Sequence, residues 1–291
     1  MDDGSKDRTG AIADGYPFRV IHQPNRGASA ARDAGLRETR GEIVAYVDSD
    51  VSVTRDWLRN LVKPFSDSMV AATTGRTIFG RNETCASWVR SMDIERRNAH
   101  RNRYTRLANG PNSAFRKDVL LAVGGFNPAW YHAEDTEVSY RIWNKGLRIQ
   151  YVPDAIVNHV AEEDWRQYLR KRYRDAKAFT RMLVSYTKPA VLQDDYVSLG
   201  MKVQPPLYLL LVILGILALL LSLTPYLGLA LVLLAGFSIL AVLLVLPEAI
   251  AVAYASRRTG FFFKTMAIGL MRGFAWGAGL GVGSLRQLLH Q

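Results

Sequence analysis

Cysteine is nearly missing from this chain: of 291 residues, Cys85 alone carries a thiol. One thiol forms no disulfide within the chain and cannot supply the cysteine set of a structural zinc site. Acidic residues are as scarce in the last third. Beyond Met201 the single acid is Glu248, set against six basic residues, and residues 203–247 contain no charge. Soluble helices of that length would show a polar face, so a buried hairpin of a water-soluble domain is excluded in favour of a membrane segment. Internal repeats are lacking, as are low-complexity tracts outside the Leu-rich run. The opening MDDGSKDRTG is polar and charged, unlike an apolar export leader. At 49% hydrophobic residues, the composition excludes disorder over most of the length.

What is present divides the chain in two. The 37 Lys and Arg exceed the 26 Asp and Glu, for a net charge of +11, and most of these charges lie before residue 201. A charged front domain is therefore expected over residues 1–190, with a juxtamembrane linker at 191–205. A crossing needs about 20 apolar residues, and the uncharged run holds two, broken at Thr224-Pro225. They are predicted at 206–223 and 226–246, within a two-helix segment spanning 206–246. A further apolar stretch, 260–285, carries Lys264 and Arg272. Either it spans, with both cations snorkelling, or it lies in the interface. The basic front domain and Arg257-Arg258 predict that the front domain sits at the cell membrane on its cytoplasmic face. Net charge alone would also suit nucleic acid. The basic residues gather near the membrane helices, however, and no aromatic-basic recognition motif is present, so no nucleic-acid partner is expected.

Along the front domain, strands are predicted at 18–22, 42–47, 70–74, 113–116 and 147–152. Helices are predicted at 27–39, 57–65, 85–103, 134–145 and 165–183. This alternation implies an α/β layer fold with a mostly parallel sheet.

Several residue groups carry chemistry. Asp48 and Asp50 stand where an apolar strand stops, the edge at which open α/β sheets bind ligands. Two carboxylates one residue apart share a hard divalent cation, Mg²⁺ or Mn²⁺, which grips a diphosphate. Acids at strand ends are also ordinary structure. Asp2-Asp3-Gly4-Ser5 forms an acidic turn. Asn25-Arg26-Gly27 places a cation and free amides at a helix start, suited to a phosphate. Glu134-Asp135 follows a Gly-rich, aromatic stretch, where a carboxylate serves either as a general base or as a helix cap. His159 is a structural histidine or a further metal ligand. The segment 166–188 holds eight basic residues and one acid. It reads as a helix held by anionic lipid, or as a clamp for acceptor phosphates.

The ordered set DDGS (2–5), NRGASAARDAG (25–35), GEIVAYVDSD (41–50), NGPNSAFRKDVLLAVGGF (109–126), AEDTEVSYRIWNKG (133–146) and VPDAIVNH (152–159) resembles the family 2 glycosyltransferases. The resemblance covers about residues 2–183 and implies a GT-A fold with inverting transfer from a nucleotide-diphosphate sugar. It implies that Asp3 recognises the base, with Arg26 and Asp48 also on the donor, and that Asp48, Asp50 and His159 hold the metal. Asp135 then matches the catalytic base. The acceptor, a lipid-linked or cell-envelope glycan, is assigned Glu134, Arg170, Arg172 and Arg174. Residues 167–171 only loosely match the QxxRW motif of processive synthases, with Lys171 in place of Trp, which points to a non-processive, membrane-anchored member. The family's first strand and its Pro-x-Tyr-Asn turn precede the DDGS segment, so the chain is expected to start inside the second strand and to lack the first. Two alternatives follow: a polyprenyl-phosphate glycosyl transferase, or a truncated non-catalytic homologue.

Overall fold

A computed structural model describes residues 1–186, 199–221 and 224–289. Two compact units share the chain. One comprises Met1–Thr77 and Arg101–Asn158, and the other comprises Ile78–His100 and most of the chain from His159 onward. The boundary expected at 190/191 falls outside the described residues.

The first unit is a layered α/β body. Its strands are β1 (Ile43–Val47), β2 (Val51–Val53), β3 (Val70–Phe79), β4 (Tyr104–Thr105), β5 (Asn112–Arg116) and β6 (Arg148–His159), in the order β1-β5-β3-β6-β2 with β4 paired to β6. Side chains alternate across a strand. Val44 and Tyr46 of β1 and Phe115 of β5 therefore enter one core, with Leu36, Leu120, Val138 and Ile142 from α2 (Ala28–Glu38), α5 (Lys117–Ala122) and α6 (Glu134–Asn144). Ala45 and Ala114 face a second core with Trp57, Leu61 and Phe65 from α3 (Trp57–Val62) and the 3₁₀ turn after it. Helices thus cover both faces of the sheet.

The sheet is mixed. β5 runs antiparallel to both β1 and β3, and β4 runs antiparallel to β6. Alternation of strands and helices suggested mostly parallel pairing. The chain instead leaves β3 on a long excursion and returns through β5 in the opposite sense. β3 and β6 also run further than predicted. Gly75 and Pro153 weaken the strand signal, yet a Cβ at Gly75 would stand 2.1 Å from the Ala155 carbonyl oxygen. The glycine is what lets the backbones approach. No strand forms at 18–22. A short helix, α1 (Thr9–Asp14), comes earlier, and Asp2 meets His22 in an isolated parallel bridge.

The second unit is helical: α4 (Cys85–Ala99), α7 (Trp165–Ser185), α8 (Leu199–Leu220), α9 (Leu227–Ser256) and α10 (Gly260–Leu289). Lys202–Leu220 and Leu227–Ser256 are long and apolar enough to cross a membrane. The linker expected at 191–205 lies outside the described residues up to 198. From Leu199 the chain is helical and continues through Pro205 and Pro206.

α10 corrects one expectation. Lys264 is exposed, but Arg272 does not snorkel. It is buried, donating to both Glu248 carboxylate oxygens at 3.0 and 2.6 Å and to the Tyr168 hydroxyl at 3.3 Å. Two flanks of α10 are glycine-lined. Gly269, Gly273 and Gly277 abut Val245, Tyr208 and Leu209, while Gly279 and Gly283 abut Tyr173 and Thr180 of α7.

Candidate active site

The first unit gathers its functional groups at strand and helix ends. β1 delivers Asp48 and, past it, Asp50. Each offers a carboxylate oxygen within 4.8 Å of the other. Two oxygens about 2.1 Å from one ion stand at most about 4.2 Å apart, so a small side-chain adjustment brings this pair onto one cation. All-oxygen donors of this kind fit Mg²⁺ or Mn²⁺.

The N-terminus of α6 delivers Glu134 and Asp135. Ala133, the residue before them, has φ 61°. That left-handed conformation costs an L-residue about 1–2 kcal/mol, and here it turns the chain sharply into the helix. Both Asp135 oxygens are held: Gly110 N donates to Oδ2 at 3.0 Å, and Thr136 N donates to Oδ1 at 2.7 Å. The NGPNSAF segment therefore orients the candidate base through its own backbone.

Arg32 of α2 joins the two carboxylate groups. Its Nη2 donates to Asp48 Oδ1 at 2.7 Å, and its Nη1 donates to Glu134. Burial pushes the Glu134 carboxyl up, the neighbouring Asp135 charge adds to that, and Arg32 opposes both. The net shift is upward. Sequence reasoning missed Arg32. Its one signal was position inside NRGASAARDAG, where an Ala-rich helix reads as packing.

Asp3 is placed differently from a free base reader. Its carboxylate accepts from Gln23 Nε2 at 2.6 Å, Arg26 N at 2.9 Å and Gly27 N at 2.7 Å. Burial opposes ionisation, but these bonds outweigh it and hold the carboxyl below its usual range. Asp3 thereby shapes the Asn25–Gly27 turn that opens α2. Two glycines permit the shape: Gly4 at φ 74° and Gly27 at φ 88°, where a Cβ would lie 2.7 Å from the Tyr131 ring. The Arg26 side chain is exposed beside this turn.

The remaining expected residues fall in the second unit. His159 closes β6, stacked on Phe79 with ring centroids 4.5 Å apart. Arg170 and Arg174 line a cleft of about 670 Å³ with Gln167, Leu169, Tyr173 and Ala275. Arg172 does not join them. It is buried on the opposite face of α7, 5.3 Å over the Tyr168 ring and 3.0 Å from Asp175. Nearby, burial raises the Asp93 carboxyl, but Arg97 at 2.7 Å dominates and holds it at about 2.

The fold, with carboxylates gathered at one strand end and one helix start, is of GT-A type. Residues 1–124 match the model of Glycosyl transferase family 2, which together with the relatives that follow supports a family 2 glycosyltransferase. It is 30% identical over 189 residues to the pre-mycofactocin glycosyltransferase of Mycobacterium tuberculosis, covering 59% of this chain and 39% of that protein. It is 29% identical over 171 residues to the glucosyl-dolichyl phosphate glucuronosyltransferase of Haloferax volcanii, covering 50% and 54%. The chain thus spans two fifths to about half the length of these relatives. Among solved structures, the mannosyltransferase PcManGT from Pyrobaculum calidifontis, in complex with GDP-Man and Mn²⁺, matches with a TM-score of 0.60 at 22% identity, over 92% of this chain and 76% of that one.

Proposed function

We propose that this protein is a membrane-anchored, inverting glycosyltransferase that moves a sugar from a nucleotide-diphosphate donor to a hydroxyl of a lipid-linked or cell-envelope saccharide. The observation that carries the reading is the Arg32 bridge, which holds a strand-end Asp-x-Asp pair and a helix-start Glu-Asp pair in one constellation. Asp48 and Asp50 would hold a divalent cation, Mg²⁺ or Mn²⁺, with His159 proposed as a third ligand from the adjoining end of β6. Such a cation, when bound, supplies positive charge to the leaving diphosphate. PcManGT, solved with Mn²⁺ and GDP-Man, supports that part of the reading.

Asp135 takes the proton from the acceptor hydroxyl. The oxygen attacks the anomeric carbon from the face opposite the diphosphate, the new glycosidic bond forms, and the old bond to phosphate breaks with its electron pair. The anomeric configuration inverts. Backbone donation from Gly110 and Thr136 keeps the carboxylate aimed throughout. Arg26 and the amides opening α2 bind donor phosphate, with Asp3 fixing the turn that leads into them. Glu134 is assigned to the acceptor beside Asp135.

A hydroxyl acceptor follows from chemistry. A polyprenyl phosphate is already ionised at neutral pH and needs no base, whereas a sugar hydroxyl does. The Haloferax relative, named for action on glucosyl-dolichyl phosphate, supports a saccharide already on a lipid. The two apolar helices would supply the anchor, and charge asymmetry supports a front domain on the cytoplasmic side.

The test is donor hydrolysis and transfer by wild type, Asp135→Asn and Asp50→Ala, with mass spectrometry of the lipid product. Asp135→Asn is expected to lose 10²–10⁴-fold in turnover, about the worth of a general base. Unchanged turnover in both variants refutes the mechanism. A single sugar on a monophosphate carrier, made equally well by Asp135→Asn, refutes the hydroxyl acceptor.

A further inference from the structure

The cleft on the second unit joins two surfaces that ordinary protein interiors keep apart. Its lining combines the apolar Leu169 and Ala275 with Arg170, Tyr173 and Arg174 of α7. Its volume, about 670 Å³, suits a chain-bearing molecule rather than a bare ion.

The walls are built. A Cβ at Gly279 would fall 2.4 Å from the Tyr173 carbonyl oxygen, and one at Gly283 would fall 2.9 Å from the Thr180 side chain, so α10 lies backbone to backbone against α7. Tyr168, between two lining residues of α7, is bonded to Arg272, one turn before Ala275 on α10. Arg272 in turn is gripped by Glu248. The Arg272–Tyr168 bond therefore ties together the two helices that form the cleft, and Glu248 of α9 holds the guanidinium in place. Arg172, the cation between Arg170 and Arg174, faces the interior. The cleft arginines thus form a defined pair, four residues apart on one face of the helix.

An anionic head with an apolar tail fits this arrangement, and the unit that carries it also carries the two apolar helices. We infer that the α7–α10 cleft binds the phosphate of an isoprenoid-type membrane lipid, with Arg170 and Arg174 on the phosphate and the first carbons of the chain along Leu169 and Ala275. This rests on the membrane-anchored transfer reading and specifies where its lipid acceptor is held. Arginine suits the task because its planar fork donates two hydrogen bonds to one phosphate.

The full chain in detergent micelles is titrated with farnesyl monophosphate, farnesol and inorganic phosphate, each without donor, with thermal stability as the readout. Farnesyl monophosphate is expected to raise the melting temperature by mass action, while farnesol and inorganic phosphate at equal concentration do not. Arg170→Gln and Arg174→Gln each raise the apparent Kd about tenfold, as loss of one charge-assisted contact does. Ala275→Phe, which narrows the cleft and leaves both arginines, raises it as well. Arg181→Gln, on the same helix away from the cleft, binds like wild type. Equal binding of inorganic phosphate, or wild-type affinity in both arginine variants, overturns the proposal. The outcomes separate from those for catalysis: Asp135→Asn binds farnesyl monophosphate normally, whether or not transfer occurs.

Discussion

Replacing Arg32 with methionine removes one cation from between two carboxylates. The Arg32 side chain is 13% exposed, Glu134 12% and Asp48 33%. Breaking a buried pair by deleting one partner costs about 3–5 kcal/mol, because a charge stays behind unpaired. Asp48 is wet enough to recover part of its solvation, which brings the expected loss to about 3 kcal/mol. In a body of this size that is a fall of about 10 °C in melting temperature. The pH dependence carries the diagnosis. The Glu134 carboxyl is already raised by burial and by Asp135, and losing Arg32 raises it further. A carboxyl with a raised folded-state pKa makes the fold take up a proton, so stability is regained as pH falls through that value. The Arg32→Met deficit is therefore largest near pH 8 and shrinks toward pH 5. Arg32→Met combined with Glu134→Gln restores part of the loss at pH 8. Melting curves of the four proteins of the cycle at both pH values test this. A deficit equal at pH 5 and pH 8, with no recovery in the double variant, refutes the account of Arg32 as counter-ion.

Removing the Asp48 or Asp50 carboxylate weakens Mn²⁺ binding at least tenfold by electron paramagnetic resonance of the free ion, independent of turnover. His159→Ala gives a smaller loss if the imidazole is a ligand, and none if it is not. Glu248→Gln lowers the melting temperature sharply, while Glu248→Leu with Arg272→Leu recovers most of it, because a buried pair is costly to break and cheap to replace by apolar packing. Burial raises the Glu162 carboxyl, but Arg90 and Lys171 dominate and hold it at about 2. The stability it confers is full above the unfolded value near 4.5 and lost as pH falls toward 2, so Glu162→Gln flattens the acid limb of the stability curve. In intact cells, an impermeant thiol reagent labels Thr224→Cys and spares Thr259→Cys, with buried Cys85 as the internal control. The reverse pattern refutes the orientation.

The parts of this molecule that were readable in sequence are those whose chemistry is local. Asp48 and Asp50 announce themselves by ending an apolar strand, and Glu134-Asp135 by opening a helix. The uncharged run to Pro247 announces its helices by composition alone. The parts that were not readable depend on which way a side chain turns. Arg172 was grouped with Arg170 and Arg174 because all three are basic and adjacent. Helical spacing separates them: Tyr168, Arg172, Ala176 and Thr180 recur every four residues along the buried face. Arg272 looked like a cation to be floated to an interface, until Glu248 from another helix met it. Arg32 needed the folded sheet to bring Asp48 and Glu134 to either side of it. The Arg272 and Arg32 misses were pairings between separate elements, and charge counting along a chain has no access to such partners.

The two glycine-lined flanks of α10 bear on how the second unit is assembled. Helices α7, α8 and α9 leave the ribosome first, each with a face shaped for a neighbour that has not yet been made. α10 is the keystone, and it emerges after all of them. Until it arrives, Glu248 has no guanidinium, Tyr168 has no donor from α10, and Tyr173 and Thr180 lack the close backbone that covers them. The packing between α7 and α10 is therefore complete only once residue 283 has been made. A chain stopped short of α10 would keep its two apolar helices yet lack Ala275 and the helix that completes the cleft.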